Sequence, residues 1–517
     1  MPCSQVVTFA KKALEDASGS TSAVSSCPVV KGLSKLRAKD AEEKLHPLLS
    51  QHGLSLPVPL NNLSGGLLQG FPRLKPIDFL NHMVDSGHLN KLLGGKQISG
   101  SRTMLQEFWS NFQKAHPDFG LFTEENIDLG LCIPIFAHAD GGRGYKKSEF
   151  MVFNWSSAIG SGTGKTNKKD NYSARQFNRK RPSNQKAQIN LLGHTFATHY
   201  MWGAAPAMWH KDDSHFQAMM TAFGEDLKEC FCSGVMCQGK RIRLVCIGLK
   251  ADLKLQARAG RFTRWYSTCR KGPHDPTNRN QSAGYCCWLC PAGSIDYPFE
   301  EIHTESPAWL QAMGTFAAVP PWKDNEINGL VANSFQYISQ PAKFYLPDLF
   351  HIYLAGFGQD HAASCLVYML GKTFTGTSVD DQLASLNLAW RYWKRYKKVT
   401  THTYTWTRNM LAFTSTKVYP TGTWSKASDT SKIMEFILYI LDVFNDEVQQ
   451  DRILHYIQVA GKALGECMRG LYKADLWVVS KLKPDFKLSL WVVYLEKRLF
   501  GDFMGLSIHE LASARHF

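Results

Sequence analysis

Residues 131–140 read LCIPIFAHAD, an apolar run that ends on Asp140. Residues 141–144 read GGRG, which favours a turn, and residues 149–155 read EFMVFNW, a second apolar run. Two such runs joined by a glycine-rich turn predict a β-hairpin. A third run, RIRLVCIGL at 241–249, predicts a buried strand, and Asp252 follows three residues beyond it.

Helices are predicted around these strands, because apolar residues elsewhere recur at three-to-four spacing. The ranges with this pattern are 76–119, 194–230, 346–370, 382–398 and 432–469. The predicted strands therefore lie between predicted helices along the chain.

The composition of the chain indicates which kind of partner and which cellular compartment to expect. The chain has 517 residues, a formal charge of +15 and a pI of about 9.1, which favours a polyanionic partner such as nucleic acid. No uncharged apolar run is long enough for a membrane span, and residues 1–12 have no signal-peptide core, so neither membrane insertion nor secretion is expected. Thirteen cysteines, an odd number, favour free thiols in a reducing compartment, the nucleus or the cytoplasm.

A basic loop is predicted at residues 160–186. Its central part, 165–186, has eight basic residues against one acid, Asp170. Such a loop either is simply solvated or contacts a DNA backbone. The candidate phosphate contacts are Lys165, Lys168, Lys169, Arg175, Arg179, Lys180, Arg181 and Lys186, with Arg258, Arg261 and Arg264 further along the chain.

The sequence GSGTGKT at 160–166 superficially matches a phosphate-binding loop. That loop needs a glycine five positions before Gly164, where this chain has Ile159, and no apolar helix follows. ATP binding is therefore not expected.

Asp140 and Asp252 are the first candidate metal ligands, because each stands at or just beyond the end of a predicted strand. Carboxylates at adjacent strand ends can hold Mg²⁺ or Mn²⁺ ions that act on phosphodiesters. The competing interpretation is that an Asp-Gly pair after a strand only forms a turn.

Two further patterns have both a structural and a chemical interpretation. Asp348 and His351 open an apolar helix, where Asp348 suits an N-cap and His351 suits a core position, or where both support a metal site. Three tryptophans could stack on extruded bases, although core packing is favoured for them: Trp202, Trp209 and Trp265.

Cys287 and Cys290 form a CxxC pair that suits structural zinc, with buried unliganded cysteine as the alternative. A closed zinc site needs two more ligands. The candidates are Cys269, His274 and His303, or the upstream group Cys230, Cys232 and Cys237.

The order of these pieces, from about residue 105 to 440, resembles the DDE/D transposases of the CACTA and Plavaka-like type. The pieces are strand–Asp140, strand–Asp252 followed by ARAG at 257–260, the CxxC pair, and Asp348-x-x-His351. The resemblance implies a third acid in a Lys-x-x-acid context before an apolar helix, which is Asp429, with Glu435 as its rival. The chain departs from the family in having Asp at that place and no evident N-terminal zinc finger.

The fold implied by the resemblance is of the α/β class: an RNase H-like mixed sheet core with a large, mainly helical insertion and helical N- and C-terminal segments. The expected divisions are a flexible or weakly ordered segment 1–65, a helical lead-in domain 66–125, the first part of the core 126–270, a zinc-knuckle and helical insertion 271–415, the last core helix region 416–475 and a C-terminal helical segment 476–517.

The implied activity is DNA cleavage and strand transfer. Asp140, Asp252 and Asp429 would hold two Mg²⁺ or Mn²⁺ ions, with Asp348 and His351 in support. DNA would be the partner, and a homo-oligomer would be the assembly.

Two other hypotheses remain. One is a non-catalytic, transposon-derived DNA-binding or scaffold protein, favoured if Asp429 faces away from the other acids and no acid replaces it. The other is an unrelated zinc-stabilised protein with a small-molecule pocket.

Overall fold

A six-stranded mixed sheet, built from strands between Cys132 and Pro347, lies at the centre of the larger apolar cluster. The computed structural model describes residues 3–18, 23–55, 57–143, 149–159, 199–268, 285–294, 296–298, 306–323, 325–348, 350–413 and 420–473. Its strands are Asn61–Asn62 (β1), Pro72–Arg73 (β2), Cys132–Arg143 (β3), Glu149–Ser157 (β4), Tyr200–Pro206 (β5), Val235–Cys237 (β6), Lys240–Ala251 (β7) and Tyr345–Pro347 (β8). β1 and β2 pair only with each other, and the other six form the main sheet.

The main sheet has the order β5-β4-β3-β7-β6, and β8 also pairs with β7. β3 and β4 form the predicted antiparallel hairpin, in which Asp140 lies opposite Val152. β7 is parallel to β3, and β8 is parallel to β7. The predicted hairpin and the predicted buried strand are therefore both confirmed, within a fold of the mixed α/β class. The turn predicted at 141–144 is wrong for residues 141–143, because they continue β3 and pair with β4.

Helices cover the sheet and build the rest of the described chain. The α-helices are Cys3–Asp16 (α1), Ala23–Ser26 (α2), Pro28–Lys35 (α3), Ala41–Gln51 (α4), Pro76–Asp85 (α5), Ile98–Ala115 (α6), Ala207–His210 (α7), Asp213–Ser233 (α8), Leu253–Ala259 (α9), Ala308–Gln311 (α10), Met313–Phe316 (α11), Gly329–Ala332 (α12), Gly358–Met369 (α13), Val379–Lys397 (α14), Thr430–Val443 (α15), Asn445–Gln450 (α16) and Arg452–Lys473 (α17). Among the described residues, no helix is both apolar enough and long enough to span a bilayer.

The core of the sheet domain is built from the central strands and one long helix. Ile133, Ile135 and Ala137 of β3 are fully buried, as expected for a strand flanked on both sides. Phe216 and Phe223 of helix α8 pack into the same apolar cluster. Burial of this apolar surface is the main term that stabilises the domain.

The helix predicted from residue 194 is wrong over its first part. Residues 194–230 were expected to be helical, but Tyr200–Pro206 is strand β5, and helix begins only at Ala207. β4 offers an unpaired edge, and β5 pairs with it antiparallel from Phe150–Pro206 to Trp155–Tyr200. Buried Trp202 and Ala205 show that packing on the sheet outweighs the helix propensity of the Met and Ala residues.

A second apolar cluster lies in the C-terminal half. Helices α13, α14 and α15 pack around Trp390, Trp393 and Phe436, all of which are fully buried. The ranges 346–370, 382–398 and 432–469 were predicted to be helical, and α13 to α17 confirm that for most of their length. This part of the described chain is mainly helical.

The two ends of the chain were expected to be weakly ordered at the start and helical at the end. Within 1–65, α1, α3 and α4 pack around Ala10, Leu33 and Leu45 in a small cluster of their own. The segment 476–517 lies outside the described residues.

Candidate metal centre

Asp140 and Asp252 come to the same edge of the sheet because β3 and β7 run parallel. Their register pairs His138 with Lys250, so Asp140 and Asp252 stand two residues beyond a matched pair. Carboxyl ends of adjacent parallel strands meet at one edge, which is where α/β proteins commonly place ligand sites.

The position of Asp252 is fixed by a helix cap. Its Oδ1 accepts a hydrogen bond of 2.6 Å from the backbone N–H of Leu255, at the start of α9. Gln256 of that helix donates to the carbonyls of Ala251 and Leu346, and so ties α9 to β7 and β8. The carboxylate is therefore held at the end of β7 by two independent constraints.

His351 reaches the same edge through β8. A π-helical segment, Phe350–Phe357, follows that strand, and Asp348 shapes its start. One oxygen of Asp348 accepts from the N–H of Phe350, and the other accepts from His351 Nδ1 at 2.9 Å. Asp348 is therefore both a cap and the residue that orients His351.

With Nδ1 engaged by Asp348, the Nε2 atom of His351 faces Asp140 Oδ1 at 3.9 Å. This is the arrangement in which a carboxylate fixes the tautomer of a metal-binding imidazole. One ligand atom from each of Asp140, Asp252 and His351 lies within 4.8 Å of the others, and all three residues are partly buried. The group could hold a metal ion.

The group brings two carboxylates and an imidazole together in a partly buried setting. Burial raises the pKa of Asp140, the charge of His351 opposes that rise, and the charge of Asp252 adds to it. The hydrogen bond to Asp348 raises the pKa of His351. Burial alone would raise the pKa of Asp348, but the His351 hydrogen bond and the charge of Lys250 lower it overall. A bound cation would relieve the repulsion between Asp140 and Asp252.

Two residues beside the group were not predicted. His138 precedes Asp140 by two residues on the same face of β3, and Lys250, its partner on β7, precedes Asp252 by two residues. Burial, followed by the charge of Lys250, lowers the pKa of His138 to about 4, so its imidazole is neutral at pH 7. The alternation of strand side chains was the signal that could have identified both residues.

Asp429, the predicted third acid, is placed elsewhere. It is buried at the start of α15 and accepts hydrogen bonds from the backbone N–H and the hydroxyl of Thr403, with His402 Nδ1 at 3.3 Å. Its side chain joins two segments of the helical region and is not part of the Asp140–Asp252–His351 group. The assignment of Asp429 as a ligand of that group is therefore corrected, because a Lys-x-x-Asp context does not reveal which core the side chain faces.

Replacement of Asp429 by alanine is expected to lower the free energy of unfolding by about 1–3 kcal/mol, because two buried donors of Thr403 lose their acceptor. Its rival, Glu435, is exposed and pairs only with Lys432 on the same helix turn. Glu435→Ala should therefore cost less than about 0.5 kcal/mol. Chemical denaturation of both variants makes the comparison, and equal effects would contradict the structural role of Asp429.

The cysteines divide into a close pair and scattered thiols. A hydrogen bond with Cys290 lowers the pKa of the Cys287 thiol to about 7, and Leu289 N–H donates to the Cys287 sulfur. Cys230 is buried in α8, Cys232 is exposed, and Cys237 lies in β6; these three do not form a ligand group. The other candidate zinc ligands, Cys269, His274 and His303, lie outside the described residues, so zinc at the CxxC pair stays a prediction.

The predicted phosphate contacts have different surroundings. Arg258 pairs with Asp213 at 3.2 Å and lies over the Phe216 ring, whereas Arg261 is exposed. Arg264 is buried and donates to carbonyls, among them those of Pro320 and Trp288, so its expected contact with phosphate is corrected to a structural role. The basic residues of 165–186 lie outside the described part of the chain.

The three candidate base-stacking tryptophans serve packing. Trp202 is fully buried, and its Nε1–H donates to Asp226 at 2.7 Å. Trp209 and Trp265 are partly buried against the main core.

The fold and site together define a mixed α/β protein with a candidate metal centre at the carboxyl edge of its sheet. Comparison with known proteins adds no relative: no family model, no curated protein and no solved structure gives a significant match to the chain.

Proposed function

We propose that this protein is a divalent-metal-dependent enzyme that cleaves and rejoins DNA phosphodiesters in the manner of RNase H-like transposases. The observation that carries the proposal is the convergence of Asp140, Asp252 and His351 from three chain segments more than ninety residues apart. Two of these side chains were expected at such a site as metal ligands, and the third was expected to support it.

The donor set fits a divalent cation of intermediate hardness. Two carboxylates suit Mg²⁺ or Mn²⁺, and an imidazole shifts the preference toward Mn²⁺ and away from Mg²⁺. Asp348 supports this role, because its hydrogen bond to Nδ1 leaves Nε2 of His351 as the ligand atom. Three side-chain ligands suit a single cation. The two-ion arrangement expected from the resemblance would need another carboxylate, and Asp429 does not supply it.

A divalent cation at this position would lower the pKa of a bound water and neutralise charge on the phosphate. Asp140 and Asp252 would bind the cation at the sheet edge, and His351 would be its third protein ligand. Lys250, which lies on the Asp252 strand and acts electrostatically on Asp348, would add positive charge beside the scissile phosphate. The attacking group would be water in strand cleavage and a 3′-hydroxyl in strand joining.

The sheet topology supports the same proposal. Asp140 lies in the C-terminal part of β3, the first strand of an antiparallel hairpin, and Asp252 directly follows β7, which is parallel to β3. That is the arrangement implied for an RNase H-like core. The net charge of +15 suits a DNA partner.

A nicking assay tests the proposal directly. The intact chain is incubated with supercoiled plasmid DNA in Mg²⁺, in Mn²⁺ or in EDTA. We expect nicked and linear products with Mn²⁺ or Mg²⁺, and none in EDTA. Absence of products with both metals would remove the enzyme proposal.

The second candidate is a non-catalytic DNA-binding or scaffold protein derived from such an enzyme. The position of Asp429 favours it, because the expected third acid faces Thr403 and only an imidazole takes its place beside Asp140 and Asp252. This alternative predicts metal-independent DNA binding with no nicking in either metal.

A further inference from the structure

An exposed aromatic stripe runs along α14, on the side opposite its buried face. Leu388, Tyr392 and Tyr396 recur every fourth residue and so share one face of the helix. Their exposures are 66%, 60% and 59%. Large side chains this exposed and this contiguous mark an interaction surface more often than chance exposure does.

The rings of the stripe are ordered. Tyr392 and Tyr396 are parallel within 5°, with ring centroids 6.1 Å apart. Tyr439 of α15 continues the stripe, with its ring centroid 6.0 Å from that of Tyr396. The surface therefore extends across two helices, which share the second apolar cluster beneath it.

Basic residues outnumber acids around the stripe. Residues 391–398 contain five basic residues, and no Asp or Glu occurs between Asp381 and Asp429. Lys397 lies over the rings of both Tyr396 and Tyr439, at 5.0 and 5.5 Å. The nearby acid Glu435 is already paired with Lys432. We call this surface the tyrosine–lysine face; its members are Leu388, Arg391, Tyr392, Arg395, Tyr396, Lys397, Lys398 and Tyr439.

Basic residues in the last turn of a helix also complement the helix dipole. That effect explains Lys394, Arg395 and Lys397, which are in the last turn of α14. It does not explain Arg391, which precedes that turn, or the exposed tyrosines between the charges. Aromatic faces interleaved with positive charge fit a strand of nucleic acid whose bases are unpaired.

We propose that the tyrosine–lysine face binds single-stranded DNA, with bases stacking on Tyr392 and Tyr396 and phosphates lying along the basic residues. This deepens the proposed function, on which it rests for DNA as the partner. A second copy of the same face is disfavoured, because two like-charged surfaces would repel each other in a symmetric contact. Paired bases are disfavoured, because their ring faces are covered within the duplex.

Fluorescence anisotropy of a labelled oligothymidylate, measured with the full chain in EDTA, tests this proposal. The variant Tyr392→Ala/Tyr396→Ala should weaken binding roughly ten-fold or more, since each stacked base is worth several-fold to over a hundred-fold in affinity. The matched variant Tyr392→Phe/Tyr396→Phe should bind as the intact chain does, because it keeps both ring faces. Affinity for a duplex of the same length should change much less.

A separate variant tests the phosphate contacts. Arg391→Gln/Arg395→Gln should reduce the slope of log affinity against log salt by about 1.4, or about 0.7 for each lost contact with a single strand. Thermal unfolding should be unchanged in all three variants, since the altered side chains are exposed.

The proposal is overturned if the alanine variant binds oligothymidylate as tightly as the intact chain, if single strand and duplex lose affinity equally, or if the intact chain does not bind the oligonucleotide. It is also overturned if the tyrosines change only the oligomeric state. Because EDTA removes the metal, a chain that binds through these tyrosines but never nicks DNA fails only the enzyme proposal. If the intact chain nicks DNA but the alanine variant binds oligothymidylate as tightly as the intact chain, only the proposal for the tyrosine–lysine face fails.

Discussion

Replacement of Asp252 by asparagine is expected to reduce metal-dependent nicking and the affinity for Mn²⁺ by about 100-fold or more. The change removes one of the two charged ligands, and even residues that only support a ligand are worth about 10- to 100-fold. Asparagine is as good an N-cap as aspartate, so the contact with Leu255 N–H and the start of α9 should survive. The loss should therefore appear in metal binding and cleavage, with the fold intact.

Asp212→Asn is the matched control for this variant. Asp212 caps α8 by accepting from His215 N–H at 2.9 Å, as Asp252 caps α9, but it belongs to no candidate metal group. We expect it to nick DNA and to bind Mn²⁺ as the intact chain does. Initial nicking rates and calorimetric titration with Mn²⁺ give both readouts. Unchanged nicking and metal binding in Asp252→Asn would contradict the role of Asp252.

The largest effect on stability is expected from Asp226→Ala, at about 3–5 kcal/mol. Asp226 lies on α8 and accepts from Arg73 Nε and from Trp202 Nε1, each at 2.7 Å. The side chains of the ion pair are only 11% and 6% exposed. Alanine would leave the buried guanidinium of Arg73 and the indole N–H of Trp202 without their acceptor. It would also remove the side-chain hydrogen bonds that connect β2 and β5 to α8.

Glu229→Ala is the control, one turn further along α8. Glu229 pairs with Lys75 at the same 2.7 Å, but their side chains are 41% and 24% exposed. Solvent screens this pair, so its loss should cost about 0–1 kcal/mol. Urea denaturation followed by tryptophan fluorescence compares the two variants. Losses of similar size would show that burial does not distinguish the two ion pairs.

Much of the sheet could be predicted because its central strands are long and apolar. β3, β4 and β7 each have at least nine residues, and their runs end in glycine-rich or charged sequence. β5 was missed because its Met, Ala and Trp residues also suit a helix. Its strand conformation depends on pairing with the edge of β4, which the local sequence does not encode. β8 has three residues, too few for any periodic pattern, so its pairing with β7 could not be foreseen.

The part of the candidate site that Asp140 and Asp252 contribute could be predicted from the sequence. Asp140 and Asp252 follow from the pattern of two strands, and their proximity follows if those strands are parallel neighbours. His351 was expected to support the site, and its placement within the ligand group depends on β8 and on the hydrogen bond to Asp348. Those are tertiary features that no local pattern encodes.

Asp429 illustrates the opposite case. Its sequence context matched the implied third acid, yet its partner Thr403 lies twenty-six residues earlier and outside any recognised motif. A spacing pattern selects residue types, whereas the direction of a side chain is set by which core its helix packs against. Here α15 packs into the second apolar cluster, and Asp429 is turned toward it.

Anomalous diffraction from crystals of the intact chain grown with Mn²⁺ tests the central claim most directly. The claim is that Asp140, Asp252 and His351 form one cation site. We expect an Mn²⁺ peak about 2 Å from a carboxylate oxygen of each aspartate and from His351 Nε2. No Mn²⁺ peak among these three side chains, or an ordered Mn²⁺ bound only elsewhere, would contradict the account.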